Sequence, residues 1–114
     1  MSNWDVSFHE AYLEELAVAP ADVRKKVLAM ALLLQQFGPE LGRPHCDTLN
    51  GSRHKNMKEL RFTVVPRGVW RVAFAFDPSR CAVLLVGGNK AGILLSLTTG
   101  SMNILGIRTK RSAR

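Results

Sequence analysis

Residues 57–88 read MKELRFTVVPRGVWRVAFAFDPSRCAVLLVGG, and they decide the fold because apolar and polar side chains alternate along them with a period of two. The apolar positions of the first two segments are Leu60, Phe62, Val64, Trp70, Val72, Phe74 and Phe76. Turn-forming residues separate the segments at Pro66-Arg67-Gly68 and at Asp77 to Arg80, and Gly87-Gly88 ends the third segment, Cys81 to Val86. The pattern therefore predicts an antiparallel meander of three strands.

Two helices are predicted before this meander. A short first strand is predicted at Asn3–Val6, and Ser7 with Glu10 three residues later fits a capping box at the start of the first helix. Its apolar residues at helical spacing are Phe8, Tyr12, Leu13 and Leu16. The second helix begins near Pro20, whose ring suits a first helical turn, and ends at Gly38-Pro39.

The order of these segments predicts one α+β domain, because 114 residues supply a single two-layer core and helices precede a run of strands. We expect an N-terminal helical hairpin packed on one face of a small antiparallel β-sheet, with residues 40–55 as the connecting loop. If the apolar strand positions face the helices, Glu59, Arg61 and Arg71 project from the opposite face.

The net charge of +7 is unevenly distributed along the chain. Residues 1–40 contain three basic and six acidic side chains, whereas residues 41–114 contain thirteen basic and three acidic ones. A basic second part beside a mildly acidic first part suggests a surface that faces a polyanion such as nucleic acid. A basic surface that is merely solvated is the alternative.

Cys46 and Cys81 are too few and too isolated for a disulfide framework. Early acidic residues interrupt any signal-peptide core, and the apolar run Ala29–Leu34 is far shorter than the roughly 18 residues that a membrane span requires. We therefore expect a reduced, cytoplasmic protein without a membrane segment.

Arg61 and Arg71 are the main candidates for chemistry. They lie on adjacent predicted strands, on the face away from the core, and an arginine fork matches phosphate oxygens. With Lys90 at the end of the next strand, they would form a positive pocket of phosphate size. In the alternative, each arginine pairs with Glu59 or Asp77 on a solvated sheet.

His54 and Lys58 lie beside this face, where either could transfer a proton if its environment tuned it, or be an ordinary exposed side chain. His45-Cys46-Asp47 resembles a set of metal ligands, but nothing around it has zinc spacing. Gly87-Gly88-Asn89-Lys90 lacks the spacing of a nucleotide-binding P-loop. We therefore expect neither a metal nor a nucleotide cofactor.

Several ordered motifs together resemble a known family. They are Gly42-Arg43-Pro44, Asp47-Thr48-Leu49, Gly51-Ser52-Arg53-His54, Asn56-Met57-Lys58-Glu59-Leu60-Arg61, Trp70-Arg71-Val72, Phe74-Ala75-Phe76-Asp77-Pro78 and Leu85-Val86-Gly87-Gly88-Asn89-Lys90. In this order and spacing they are similar to the signature of the phage-derived, Gp49-like HigB toxins within the RelE/ParE superfamily.

The resemblance implies a RelE-like α+β fold with helices on one face of the sheet and an RNA site on the other. It implies a ribosome-dependent endonuclease, held in check by a helix-turn-helix antitoxin, that cuts mRNA through attack of the RNA 2′-hydroxyl on the adjacent phosphate without a metal. Under it, Arg61 and Arg71 hold the phosphate, Lys90 adds charge or acts on the leaving group, and Lys58 and His54 are candidates for the base. The residues expected to bind RNA are Arg43, Arg53, Lys55, Lys58, Arg61, Arg71 and Lys90.

The chain departs from the family's pattern after Gly92. The family usually continues with a segment that contains an aromatic residue and completes the site, whereas Ile93–Ile107 is aliphatic and rich in Ser, Thr and Gly. β-Branched residues and Gly make Leu97-Thr98-Thr99-Gly100 a poor helix segment. We therefore predict a toxin-like domain over residues 1–92 and an atypical tail over residues 93–114.

Two further interpretations remain open. A catalytically impaired module could keep the fold and bind an antitoxin or RNA, and a toxin of this superfamily could act on another target such as gyrase. The cations on the predicted sheet face favour RNA over gyrase.

Overall fold

The computed structural model describes residues 3–52, 56–66 and 68–98. Its elements follow the order β1 (Asp5–Phe8), α1 (Glu10–Ala17), α2 (Ala21–Phe37), a 3-10 turn (Gly38–Glu40), β2 (Cys46–Thr48), β3 (Lys58–Val64), β4 (Gly68–Asp77), β5 (Cys81–Gly88) and α3 (Lys90–Thr98). The sequence predictions for Arg53, His54, Lys55, Arg67 and residues 99–114 fall outside the described residues.

The described strands form one mixed five-stranded sheet in the order β1-β5-β4-β3-β2. The antiparallel pairs β3–β4 and β4–β5 confirm the predicted meander. β1 instead runs parallel to β5, with Asp5 opposite Cys81. The helical hairpin carries the chain from β1 to β2 at the opposite edge of the sheet, and the following strands return it to β5 beside β1. The α+β class is therefore confirmed, whereas the sheet is mixed rather than wholly antiparallel.

The helical hairpin packs on one face of the sheet and forms the larger core. Its buried helix residues recur at helical spacing, and they are Tyr12, Leu16, Val23, Val27, Met30 and Leu34. The strand residues that meet them are those predicted from alternation, namely Leu60, Phe62, Val64, Val72 and Phe74, with Trp70 and Phe76 partly buried beside them. Leu34 and Phe74 are fully buried, and each stabilises the fold by about 1.5–3 kcal/mol through removal of its side chain from water.

A third helix, α3, packs on the opposite face of the sheet and was not predicted from the sequence. Asn89 precedes it and accepts a hydrogen bond from the Gly92 backbone N–H at 2.8 Å, which satisfies one of the free donors of the first turn. Ile93 and Leu97, one turn apart, are buried against β4 and β5. Because most residues of this helix are apolar, its sequence does not distinguish a buried face from an exposed face.

The first strand begins two residues later than predicted, and the predicted capping box is wrong. Ser7 lies in β1, where its Oγ is 3.3 Å from the Cys81 Sγ, and Phe8 is a strand residue rather than a helix residue. His9 caps α1 instead, because its Nδ1 accepts a hydrogen bond from the Ala11 backbone N–H at 3.1 Å. Pairing with β5, distant in sequence, determines where β1 ends.

The loop predicted over residues 40–55 contains the short edge strand β2. Cys46 pairs with Leu60, and Thr48 pairs with Lys58. Three residues are too few for a period of two to be recognised in the sequence.

The two cysteines are free thiols buried in different layers. Cys46 lies in the core under the helical hairpin, and Cys81 lies in the core under α3. This arrangement agrees with the expectation that they form no disulfide framework. None of the described helices is long and apolar enough to cross a membrane.

Candidate nucleic-acid interface

Arg61 and Arg71 lie side by side on the sheet face that also carries α3. They are cross-strand partners on β3 and β4, and Glu59, two residues before Arg61, lies on the same face. The side chains of Arg61 and Arg71 are 42% and 22% exposed, whereas that of Glu59 is 7% exposed. The structure therefore places both arginines on the face away from the helical hairpin, as alternation predicted.

Glu59 is an acidic partner of both arginines. Its Oε1 is 3.4 Å from the Arg71 Nε, and its Oε2 is 3.8 Å from the Arg61 Nε. Both separations exceed the roughly 2.7–2.9 Å of a charge-assisted hydrogen bond, and the Glu59 Oε1 and Arg71 Nε atoms have no hydrogen-bond partner among the described residues. Since two positive charges face one negative charge, the cluster still attracts an anion at its exposed edge.

Asp77, the other acid considered as a partner, lies at the far end of β4. Its Oδ1 accepts hydrogen bonds from the Ser79 backbone N–H at 2.9 Å and from the Ser79 hydroxyl at 3.0 Å. These bonds hold the turn between β4 and β5. Glu59 is therefore the acid that offsets part of the charge of the arginine pair.

Lys90 lies close to this pair in the topology of the sheet. Arg71 pairs with Gly88 of β5, and Lys90 follows two residues later as the first residue of α3. Its side chain is partly buried. Arg61 and Arg71 thus lie on adjacent strands, whereas Lys90, predicted at the end of the next strand, lies two residues beyond that strand at the start of α3.

Lys58 lies on the other face of β3. It pairs with Phe74 and alternates with Glu59, so its side chain emerges on the side of the helical hairpin. Burial raises the pKa of the Cys46 thiol on that side, and the Lys58 charge offsets part of the increase. The structure thus separates Lys58 from the arginine pair, and His54, the other candidate base, lies outside the described residues.

An open cleft of about 640 Å³ lies at the β2 edge of the sheet, next to the arginine pair. Its charged and titratable lining residues are Lys26, Arg43, His45, Asp47 and Arg61. Arg43 donates a hydrogen bond from Nε to the Asp47 Oδ2 at 2.9 Å. The pKa of Asp47 is lowered by a hydrogen bond from the Thr48 backbone N–H, and further by Arg43 and Arg61. Positive charge therefore continues from the sheet face around its edge toward α2.

Sequence reasoning missed Lys26 and His45 as members of this surface. Packing of α2 on β3 brings Lys26 to this cleft, and pairing of β2 with β3 brings His45, which immediately precedes β2, to Arg61. The sequence suggested His45 only as a metal ligand, together with Cys46 and Asp47. Cys46 is buried in the core on the helix side of the sheet. Within residues 3–52, 56–66 and 68–98, no group of three His, Cys, Asp or Glu side chains is placed to hold a metal ion.

A smaller cavity of about 200 Å³ lies beside α1, on the helix side of the sheet. The Glu15 carboxylate accepts a hydrogen bond from the Gly87 backbone N–H at 3.3 Å, and burial raises the pKa of Glu15. The Tyr12 hydroxyl and the Trp70 Nε1 are buried there without a hydrogen-bond partner among the described residues. Burial, with a smaller effect of the Glu15 charge, raises the pKa of Tyr12.

The sequence is similar to a protein family and to two curated relatives. The family model described as "Phage derived protein Gp49-like" matches residues 14–110. In Mycobacterium tuberculosis (strain ATCC 25618 / H37Rv), "Putative toxin HigB2" is 54% identical over 66 residues, which cover 58% of this chain and 33% of that protein. "Putative toxin HigB3" from the same strain is 50% identical over 72 residues, which cover 62% of this chain and 60% of that protein. The matches thus span a third and three fifths of the relatives' lengths.

Two solved structures share the fold. A mutant of the E. coli toxin RelE in the free state superposes with a TM-score of 0.62 at 14% identity, over 88% of this chain and 98% of that chain. The intact E. coli RelBE toxin–antitoxin complex gives a TM-score of 0.55 at 13% identity, over 75% of this chain and 95% of that chain. At these identities the likeness concerns the fold alone, and it confirms the expected RelE-like arrangement.

Proposed function

The chain belongs to the phage-derived Gp49-like protein family, and from this premise we propose that it is the toxin of a type II toxin–antitoxin system that cuts mRNA on the ribosome. The two curated relatives, which bear toxin names, support this proposal. The chemistry of the sheet face supports it independently of any name.

The observation that carries the proposal is the pairing of Arg61 with Arg71 on an accessible sheet face. Arg61 is 42% exposed and borders the open cleft at the sheet edge, so a flexible strand of RNA can reach it. Guanidinium groups remain charged at any working pH and match phosphate oxygens in pairs.

The proposed reaction is attack of the RNA 2′-hydroxyl on its neighbouring phosphate. Such a reaction needs a base for the hydroxyl proton, charge stabilisation on the phosphoryl oxygens and protonation of the leaving 5′-oxygen. Arg61 and Arg71 hold the phosphate and stabilise its developing charge, and Lys90 adds charge or acts on the leaving group. The resemblance offers Lys58 and His54 as bases, but Lys58 lies on the helix side of β3, and His54 falls outside the described residues. Arg43, Arg53 and Lys55 bind the flanking strand.

The proposed partners are a cognate helix-turn-helix antitoxin, mRNA and the ribosome, and the proposed compartment is the cytoplasm, where ribosomes translate. The RelE fold occurs in a toxin–antitoxin complex, which supports an antitoxin partner for a chain of this shape. The surplus of positive charge supports binding to RNA.

Cell-free translation followed by primer extension on a reporter mRNA tests this function. We expect new 5′ ends within the translated frame when the protein is added, and none when translation initiation is blocked. Cutting that persists without ribosomes would contradict the ribosome dependence, and an absence of new ends at every protein concentration would contradict the activity.

A second candidate function is a module that keeps the fold and binds an antitoxin or RNA without cutting. It is favoured by one observation: α3, which covers part of the arginine face, contains neither an aromatic residue nor an acid between Lys90 and Thr98. Antitoxin binding by a chain that produces no cuts in the same translation assay would support this alternative.

A further inference from the structure

Arg61 and Arg71 lie opposite each other on β3 and β4, and β2 lies on the other side of β3. The Arg61 backbone N–H donates a hydrogen bond to the His45 carbonyl at 2.8 Å, and Cys46 pairs with Leu60 in the next position. His45 therefore flanks Arg61 on one side, as Arg71 does on the other.

His45 is the turn residue immediately before β2. Cys46, the first residue of that strand, is buried in the core under the helical hairpin, whereas the His45 side chain is not part of that core. His45 is exposed and lines the same open cleft as Arg61. The imidazole and the guanidinium of Arg61 are thus two groups of one accessible surface.

We propose that His45 is a catalytic residue, the base that accepts the 2′-hydroxyl proton of the nucleotide whose phosphate Arg61 and Arg71 hold. This inference rests on the proposed function. Neighbouring strands are roughly 4.8 Å apart, so a phosphate held by the arginine pair leaves its ribose within reach of the adjoining imidazole. Imidazole is also the side chain whose ordinary titration range best suits proton transfer near neutral pH.

Each proton transferred in this reaction has a donor and an acceptor. A ring nitrogen of neutral His45 takes the 2′-hydroxyl proton as the 2′-oxygen forms a bond to phosphorus. The bond between phosphorus and the 5′-oxygen breaks, and that oxygen takes a proton from Lys90 or from water. The products are a 2′,3′-cyclic phosphate and a 5′-hydroxyl end, and the protonated imidazole afterwards releases its proton to water.

The charged groups that share the cleft with His45 come from three elements. They are Lys26 of α2, Asp47 of β2 and Arg61 of β3, together with Arg43 just before β2. The pKa of Asp47 is lowered, so its carboxylate stays charged near neutral pH.

The test is single-turnover cleavage of mRNA in reconstituted ribosome complexes, with His45→Ala, His45→Gln and wild-type protein. We expect both variants to cut at least about 100-fold more slowly, which is the loss expected when a general base is removed. Ribosome binding should stay within about threefold of wild type, because one exposed side chain contributes little to the binding energy. Added imidazole should restore part of the rate to His45→Ala. Gln36→Ala, an exposed change on α2 away from the cleft, should cut like wild type.

The dependence on pH separates proton transfer from simple contact. The wild-type rate should rise as pH increases and then level off, because only the neutral ring accepts a proton. His45→Ala should lose this rise. Wild-type rates in both His45 variants would overturn the role of His45 and leave the proposed function standing. Weaker ribosome binding with an unchanged pH profile and no rescue by imidazole would also overturn it. Absence of cutting by the wild-type protein would overturn both proposals.

Discussion

Arg61 and Arg71 are direct cross-strand partners, and both guanidinium groups lie against the buried carboxylate of Glu59. The negative charge of this carboxylate reduces the repulsion between the two guanidinium groups, which lie on adjacent strands. It does so at ion-pair distances of 3.4 and 3.8 Å rather than through short hydrogen bonds.

Replacing Glu59 should make the fold less stable and the site more positive. We expect Glu59→Gln to lower the free energy of unfolding by about 1–3 kcal/mol, because Arg71 is left partly buried without its acidic partner. Urea denaturation measures this loss. Binding to ribosomes should become tighter at low salt, since one negative charge is removed from the phosphate site. Unchanged stability would show that the three charges do not interact.

The packing of Trp4 on Gly38 ties the start of β1 to the end of α2. Gly38 has a φ of +56°, and a Cβ at this position would fall on the Trp4 ring. We therefore expect Gly38→Ala to lower the free energy of unfolding by about 1–3 kcal/mol. Gly42→Ala is the matched control, because a Cβ there meets nothing within 4 Å. Equal unfolding midpoints for the two variants would contradict the close approach of the Trp4 ring.

α3 stabilises the fold through one buried stripe. Ile93 is 1% exposed and Leu95 is 63% exposed. We expect Ile93→Ala to cost about 2–5 kcal/mol, the usual range for a buried aliphatic side chain, whereas Leu95→Ala should change the free energy of unfolding by less than about 0.5 kcal/mol. Thermal or urea unfolding measures both. A small effect of Ile93→Ala would mean that α3 does not pack on the sheet in solution.

The raised pKa of Glu15 makes stability depend on pH. The folded protein holds the Glu15 proton more tightly than the unfolded chain does, because burial disfavours the carboxylate. Stability from this group is therefore greatest below the ordinary glutamate pKa and decreases as pH rises through the folded value. Glu15→Gln should be more stable than wild type at pH 7, and the difference should vanish near pH 4. Its amide oxygen can still accept the Gly87 hydrogen bond.

Urea midpoints at pH 4 and pH 7 measure this effect. Glu14→Gln, which removes an exposed carboxylate on the same helix, is the control for the general change in charge. A Glu15→Gln midpoint that stays below wild type at pH 7 would show that the carboxylate is favourable when charged.

The central sheet is predicted well from the sequence because the alternation of apolar and polar residues is a local pattern. Leu60, Phe74 and the residues in phase with them face the helical hairpin as the period of two indicates, and Arg61 and Arg71 follow on the other face. Lys58 and Arg61 are three residues apart in β3, so the same period of two puts their side chains on opposite faces. The position of Lys58 on the helix side could therefore have been predicted from the sequence.

The features that were missed depend on contacts between distant parts of the chain. Parallel pairing of Phe8 with Leu84 extends β1 beyond its predicted end. The three-residue strand β2 brings His45 to Arg61 through a register that no local pattern encodes. α3 is apolar on most sides, so its burial follows from the sheet it meets rather than from a stripe in its sequence. The division of the chain into residues 1–92 and 93–114 stays a prediction.

The arginine pair is tested most directly by mRNA cleavage in reconstituted ribosome complexes with the double variant Arg61→Ala, Arg71→Ala. Circular dichroism and urea unfolding establish that the variant is folded, and Lys25→Ala, an exposed change on α2, is the control for loss of positive charge. We expect the double variant to cut at least about 100-fold more slowly, because it lacks the donors that stabilise charge on the phosphoryl oxygens, while Lys25→Ala cuts like wild type. Cutting at the wild-type rate and at the same positions by a folded double variant would contradict the assignment of this sheet face as the site.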